Sequence, residues 1–502
     1  MNEKEKTSYR SIFRATSLFG GVQVFNIIIA IIRSKIVAVL LGPTGMGISG
    51  LFTSTTSLVG SLTNFGLGTS AIRNISEARE TNDKGRISKV ITVLRRLVWI
   101  TGFLGLLLTF ILAPTLSKLT FGTENNTIAF RWLSITLLFN QLTSGQNVLL
   151  QGMRQLKFLA QANLIGSIAG LLISVPLYYL YRIDGIVPAL IISSFASLIV
   201  AWSFSRRIRT VPTKVSKRET LSEGKSMLTM GFMLSLSGLI TTAASYIIRA
   251  YISNTGSLDD VGLYNAGFAI IGSYVGLVFT AMSTDYYPRL SGIAKDNAKA
   301  KELMNQQAEI ALLIIGPILC IFLIFANWVV ILLYSTKFIP INRMIQWSAL
   351  GMYFKAASWS IAFIFLAKGA ANLFFWSEFI ANMYILLLNM AGYHFFGLNG
   401  LGISFMLGYF LYLIQVYIIT QKKYDFSFNR LFLKLFFIQF LLGLGCFFVI
   451  FFVPTPWEYL VGTAFIGISI YHSLKELNKR LDIKGAIVNI KRKKENGANH
   501  EQ

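Results

Sequence analysis

Charge is what this sequence has least of. Only 14% of its 502 residues are Asp, Glu, Lys or Arg, while 54% are hydrophobic; soluble globular domains carry about 25% charged residues. The deficit excludes an ordinary soluble protein, and a mean hydropathy of +0.59 agrees. Acids are the scarcer sign, 22 against 46 Lys and Arg, for a formal net charge of +24. Only two cysteines occur, Cys320 and Cys446, each inside an apolar stretch, which excludes a disulfide framework and a thiolate metal site. His394, His472 and His500 are the only histidines, so a histidine metal centre is equally implausible. No metal and no cofactor are expected.

What abounds is apolar sequence in blocks of about 20 residues, the helix length that crosses a bilayer. The blocks predict membrane helices near 16–41, 48–70, 91–113, 128–150, 159–181 and 186–205. Eight more are predicted near 227–252, 263–285, 308–333, 341–367, 374–395, 401–420, 431–453 and 458–475. The expected fold is an all-α integral membrane protein of about 14 spans. Arg33 and Lys35, and no small-residue cleavage site, follow the first block. It therefore reads as a retained helix, not a removable signal.

An even number of spans puts both termini on one side, and the basic residues test that arrangement. Connections on the N-terminal side carry 37 Lys and Arg, while the opposite set carries five: Lys118, Arg131, Arg182, Lys337 and Arg343. Arg33, Lys35, Arg249 and Lys355 fall within spans. The positive-inside rule then places both termini in the cytoplasm. The basic excess reflects topology, so nucleic acid is not an expected partner. The tail ending KRKKENGANHEQ reads as a solvated extension.

The chain also repeats itself. Ile31-Ile32-Arg33 recurs as Ile247-Ile248-Arg249, and Arg73 recurs as Arg289, both at an offset of 216. Met46-Gly47-Ile48 opens the second block as Val261-Gly262-Leu263 opens the eighth. These matches predict an N-lobe over 1–205, a basic cytoplasmic linker over 206–226 and a C-lobe over 227–420. Two further helices over 421–475 and a basic tail over 476–502 complete the expected organisation. Six helices per lobe makes the lobes parallel, an arrangement found in transporters that rock two halves around a site near the midplane.

Residues 31–52, IIRSKIVAVLLGPTGMGISGLF, followed by a polar second helix and FGLGTSAIRNISEA, resemble the N-terminal signature of Wzx-type O-antigen and polysaccharide repeat-unit flippases. These form the polysaccharide branch of the MOP exporter superfamily, beside the MATE drug exporters and the lipid II flippases. The resemblance implies a multi-pass protein of the bacterial inner membrane. Its implied activity is to flip an undecaprenyl-diphosphate-linked oligosaccharide from the cytoplasmic to the outer leaflet. Membrane lipids and other polysaccharide assembly proteins are the remaining implied partners. It implies a carrier, not an enzyme.

The residues offer a matching chemistry. A charge inside a span is costly and usually faces a cavity or a partner. Arg33 lies well inside the first helix, with Asn26 and Gln23 near its face, and Arg249 holds the equivalent place in the second lobe. Lys355 sits near the middle of the tenth predicted helix. These three cations are candidates to bind a diphosphate, which guanidinium groups hold through paired hydrogen bonds. On the fourth predicted helix Thr136, Asn140, Ser144, Asn147 and Gln151 recur at four- and three-residue steps, within one narrow arc. Asn64 extends a milder polar face on the second helix. Amides and hydroxyls of this kind suit sugar hydroxyls.

Of the acids, Glu378 alone lies firmly within a span, making it the candidate for ion coupling or for pairing with Lys355. A cation exporter of the MATE type is expected to bury a carboxylate in its first lobe, and none is there, which favours an anionic substrate. A lipid II-type flippase is the nearer rival. From another class, a membrane-bound polysaccharide polymerase or glycosyltransferase needs acid or histidine groups in its external loops for proton transfer. Those loops offer only Glu124, Asp184, Asp259, Asp260 and Glu458, and no histidine.

Overall fold

A computed structural model describes residues 3–208, 213 and 215–481, with the side chains of the first helix described at Phe25 and from Ile28 onward. Part of the 206–226 linker and the tail beyond 481 lie outside the described residues. Every element is helical, and there is no strand among the described residues. The chain divides into two compact units: residues up to Asn265 with Leu333–Lys337, and Ala266–Leu332 with Phe338 onward.

The first unit opens with α1 (Glu3–Thr63), a run broken at Gly42 (φ 67°, ψ −169°) immediately before Pro43. Glycine adopts positive φ without penalty and proline lacks the N–H that would continue the ladder, so the pair ends one arm and starts the next. α2 (Leu67–Glu80) follows, and Asp83 caps α3 (Lys84–Ile111) by accepting from the Gly85 N–H. Next come α4 (Ala113–Phe121), α5 (Thr127–Gly152), α6 (Leu156–Tyr181) and α7 (Ile186–Ser205). A reciprocal capping box between Ser216 and Glu219 starts α8 (Lys217–Thr255). The 217–232 and 235–255 parts of α8 meet at 54°, and α9 (Leu258–Phe268) follows.

Small residues set how closely these helices approach, because lipid offers no hydrophobic drive for helix association. α3 and α5 close where Gly102 meets Leu138 and Gly145 meets Val98; a methyl at either glycine would lie 2.9 Å from its neighbour. That contact commits one face of α5 to packing and leaves its polar face for α1, α6 and α7. Gly47 and Gly262, matched by the internal repeat, meet backbone to backbone. A methyl on Gly47 would run into the Leu258 carbonyl, and one on Gly262 into that of Pro43. Beside them the Thr44 hydroxyl donates to the Asp259 carboxylate.

In the second unit a π-helical stretch, Ala269–Val275, leads into α10 (Leu277–Ile293), and Asp296 caps α11 (Asn297–Ile324). The chain continues through α12 (Ala326–Leu333), α13 (Asn342–Ala367), α14 (Ala371–Tyr424), broken at Gly397, then α15 (Arg430–Phe452) and α16 (Trp457–Leu481). Tyr286, Ile361, Phe365, Val416 and Phe426 form its core, each at most 1% exposed. A buried ion pair fastens the last helix: Arg480 Nε donates to Glu309 Oε2 at 3.0 Å, and Asn429 Nδ2 donates to Glu309 Oε1 at 2.9 Å. Both carboxylate oxygens are therefore satisfied, which a buried charge requires.

By length and hydropathy, eight of the described helical stretches suffice to cross a membrane, or nine if the bent α8 is one span. Of those stretches, 156–205 and 371–424 each take in two of the predicted blocks whole, and 28–63 takes in parts of two. α5 is long enough but too polar to qualify. Large side chains such as Leu180, Ile111 and Phe452 are exposed on the outer faces, as lipid contact demands. The chain is a multi-pass membrane protein of all-α architecture.

Candidate functional site

A cavity of about 750 Å³ opens inside the first unit, walled by the second arm of α1 and by α5, α6 and α7, with Arg33 from the first arm. Of its 25 lining residues, sixteen carry a hydroxyl or a side-chain amide, and Arg33 is the only charged one. No carboxylate lines it. This is a polar, weakly cationic chamber, not an apolar pocket.

Local sequence explains how so polar a wall is tolerated. Thr53 donates to the Ser49 carbonyl at 2.7 Å, Thr56 to Phe52 at 2.9 Å, Thr143 to Phe139 at 2.8 Å and Ser197 to Ser193 at 2.9 Å. Each hydroxyl proton is thus satisfied one turn back within its own helix, which leaves the oxygen lone pairs as the group on offer. The side chains of Asn140 and Ser144 are exposed to the chamber. Asn147 donates through Nδ2 to Asn163 Oδ1 at 3.4 Å, while its own Oδ1 has no partner among the described residues. Ser193 donates to the Gly170 carbonyl at 3.3 Å and stands 3.3 Å from the Ser174 hydroxyl, stitching α7 to α6. Half-buried Arg33 has neither an ion pair nor a hydrogen bond to another described residue.

The predicted site residues divide accordingly. Arg33, Asn64, Asn140, Ser144 and Asn147 come together on this cavity, with Thr136 beside them. Gln151 does not: it is exposed one residue before the end of α5 and is not among the lining residues. The side chains of Gln23 and Asn26 lie outside those described. Arg249 belongs to the same unit but does not line the cavity. Its Nε donates to Asn265 Oδ1 at 2.7 Å, Nη1 donates to the Ser245 carbonyl at 2.6 Å, and the guanidinium lies 5.5 Å from the Tyr264 ring centroid.

Lys355 stands in the second unit, enclosed by aromatic rings, with Nζ 5.0 Å from the centroid of Tyr409 and 5.9 Å from those of Phe279 and Phe405. Those distances are within cation–π range. It does not pair with Glu378, whose Oε1 accepts from the Tyr412 hydroxyl at 2.5 Å. Among the described residues no cluster of His, Cys, Asp and Glu is able to hold a metal ion.

The polar residues of α6 and α7, chiefly Asn163, Ser167, Ser193, Ser194 and Ser197, were not anticipated. Their signal was present: 163, 166, 167, 170 and 190, 193, 194, 197, 201 each follow one helical face. Serine and glycine at such spacing ordinarily serve helix packing.

Comparison with known proteins places this cavity in context. Residues 36–343, more than half of the chain, match the family described as "Polysaccharide biosynthesis protein". The lipid III flippase of Escherichia coli K12 is 22% identical over 363 residues, covering 68% of this chain and 82% of the relative. The inward-facing structure of a multidrug-resistance MATE family transporter of the MOP superfamily superposes with a TM-score of 0.69 at 15% identity, covering 80% of this chain and 94% of that one. The lipid II flippase MurJ, in an inward closed conformation, gives 0.66 at 14% identity, covering 92% and 99%. The fold is that shared by MATE transporters and MurJ.

Proposed function

Because the chain belongs to the polysaccharide biosynthesis protein family, we propose that it is a flippase for a lipid-linked oligosaccharide of a surface polysaccharide. The substrate is an undecaprenyl-diphosphate-linked repeat unit of the O-antigen type, moved from the cytoplasmic to the outer leaflet of the bacterial inner membrane by alternating access. Both termini lie in the cytoplasm. One observation carries this reading: a cavity whose single charge is the cation Arg33 and whose wall is otherwise rich in hydroxyls and amides. A guanidinium without a protein carboxylate is suited to a diphosphate, and lone pairs along the wall are suited to sugar hydroxyls. The absence of an acid from the lining weighs against a MATE-like cation exporter.

In this mechanism Arg33 meets the diphosphate, and Asn140, Ser144 and Asn147 take the glycan. The lipid tail stays in the bilayer. Outward movement of a dianion is driven by the inside-negative potential, at about 2.3 kcal/mol per charge per 100 mV. Glu378 is the carboxylate placed for ion coupling. Arg249 and Lys355 take a secondary part, since neither lines the cavity.

The test is surface-polysaccharide display in a flippase-deficient strain. Arg33→Ala is expected to abolish display and Arg33→Lys to retain part of it. Full display by Arg33→Ala would remove the residue from the mechanism.

A further inference from the structure

Two apolar clefts flank α3 in the first unit. One, of about 1020 Å³, runs between α3 and α8 and is walled by Trp99, Ile100, Leu221 and Leu228. The other, of about 650 Å³, lies between α3, α5 and α7, with Trp99, Phe139, Ile199 and Trp202 on its walls. Arg95 and Trp99 belong to both. They sit one turn apart on the same face of α3, so one guanidinium and one indole are shared by the two clefts. Both volumes are of the order of ligand sites, ~300–1,000 Å³.

Among the described residues no carboxylate neutralises the cations that line the clefts. Glu223 is engaged by Arg86 and Glu219 by Lys89, and residues 206–218 contain no acid. Arg95, Lys217 and Lys225 line the first cleft, and Arg206 joins Arg95 in the second, its guanidinium 4.3 Å from the Trp202 ring centroid. None of the four has a carboxylate partner among the described residues. An apolar trough ending in unpaired cations beside the basic cytoplasmic linker complements an anionic amphiphile, with phosphate on the cations and chain in the trough.

The doubling narrows the choice further, because two troughs share one guanidinium as two acyl chains share one phosphodiester. We propose that an anionic diacyl phospholipid straddles α3, its phosphodiester held by Arg95 with Lys225 and Arg206 beside it, and one acyl chain in each cleft. A polyprenyl lipid has a single chain and would fill one cleft only. No residue lines both this site and the Arg33 cavity, yet α5 and α7 carry residues of each. The bound phospholipid thus buttresses two walls of the chamber from behind.

Native mass spectrometry of the purified full-length protein tests this, with separate titrations of phosphatidylglycerol, phosphatidylcholine and undecaprenyl phosphate. Phosphatidylglycerol is expected to be retained more strongly than phosphatidylcholine. Arg95→Gln and Lys225→Gln should each lower that preference about fivefold, whereas Lys118→Gln, an exposed cation of the opposite set, should leave it unchanged. Lys225→Gln, on the other helix, carries the test if Arg95→Gln does not fold. Equal retention of the two phospholipids would overturn the proposal, and so would an equal loss in Lys118→Gln. Tighter, Arg95-dependent retention of undecaprenyl phosphate would assign the clefts to that lipid instead.

Discussion

The two units treat polar groups in their interiors in opposite ways. In the first, hydroxyls and amides surround a chamber with one cation, Arg33, that meets no acid among the described residues. In the second, three enclosed charges are met by the protein itself: Glu309 by Arg480 and Asn429, Glu378 by Tyr412, and Lys355 by three aromatic rings. A charge matched internally is a structural device, whereas a charge with no mate among the described residues, at the edge of a polar chamber, is available to a ligand. On the proposed reading, the contrast assigns substrate binding to the first unit and anchorage to the second.

The sharpest way to break that contrast is to remove one partner of the second unit's buried pair. Arg480→Ala strands Glu309 and is expected to lower stability by about 3–5 kcal/mol, read as a fall in melting temperature of the detergent-solubilised protein. If the melting temperature holds, the pair is no anchor. Next in size, Arg33→Ala should cut flipping of a lipid-linked oligosaccharide in proteoliposomes roughly 10–100-fold, the effect of one hydrogen bond to a charged group. Its melting temperature should be unchanged. Lys355→Met should have a clearly smaller effect on flipping, and equal losses would erase the asymmetry.

Smaller again, Asn140→Leu removes one amide from the chamber wall and should lower flipping about five- to tenfold; an unchanged rate would mean the wall does not touch the glycan. The mildest effect concerns Glu219, in the first turn of α8 ahead of the predicted span 227–252, whose carboxyl is held down to about 2 chiefly by the Lys89 hydrogen bond and also by the Ser216 backbone N–H. A depressed folded-state value means the contribution is complete above the ordinary value of 4.5 and is lost as pH falls from there toward 2. Glu219→Gln should flatten the acid limb of the melting-temperature profile across that window. A profile unchanged from wild type would show that this linker contact is idle.

How far the sequence could be read depended on whether a signal was local. The polar arc of α5 was visible because amides at four-residue steps have few structural uses inside a membrane helix. Arg33 was visible because an intramembrane guanidinium demands an explanation. Gln151 misled because periodicity continued to the helix end, where α5 stops at Gly152 and the side chain meets solvent. The serines of α6 and α7 stayed hidden because small polar residues are also what tight packing selects. The rings around Lys355 could not be anticipated at all, since Phe279 and Tyr409 come from helices 130 residues apart in sequence.

The meeting of Gly47 and Gly262 has a consequence of its own. Where main chains touch with no side chains between them, parting requires no rotamer rearrangement and leaves no cavity shaped for one residue. Such a seam tolerates no added bulk. Gly47 faces the Leu258 carbonyl and Gly262 the Pro43 carbonyl, so a single methyl at either position would push the two main chains apart.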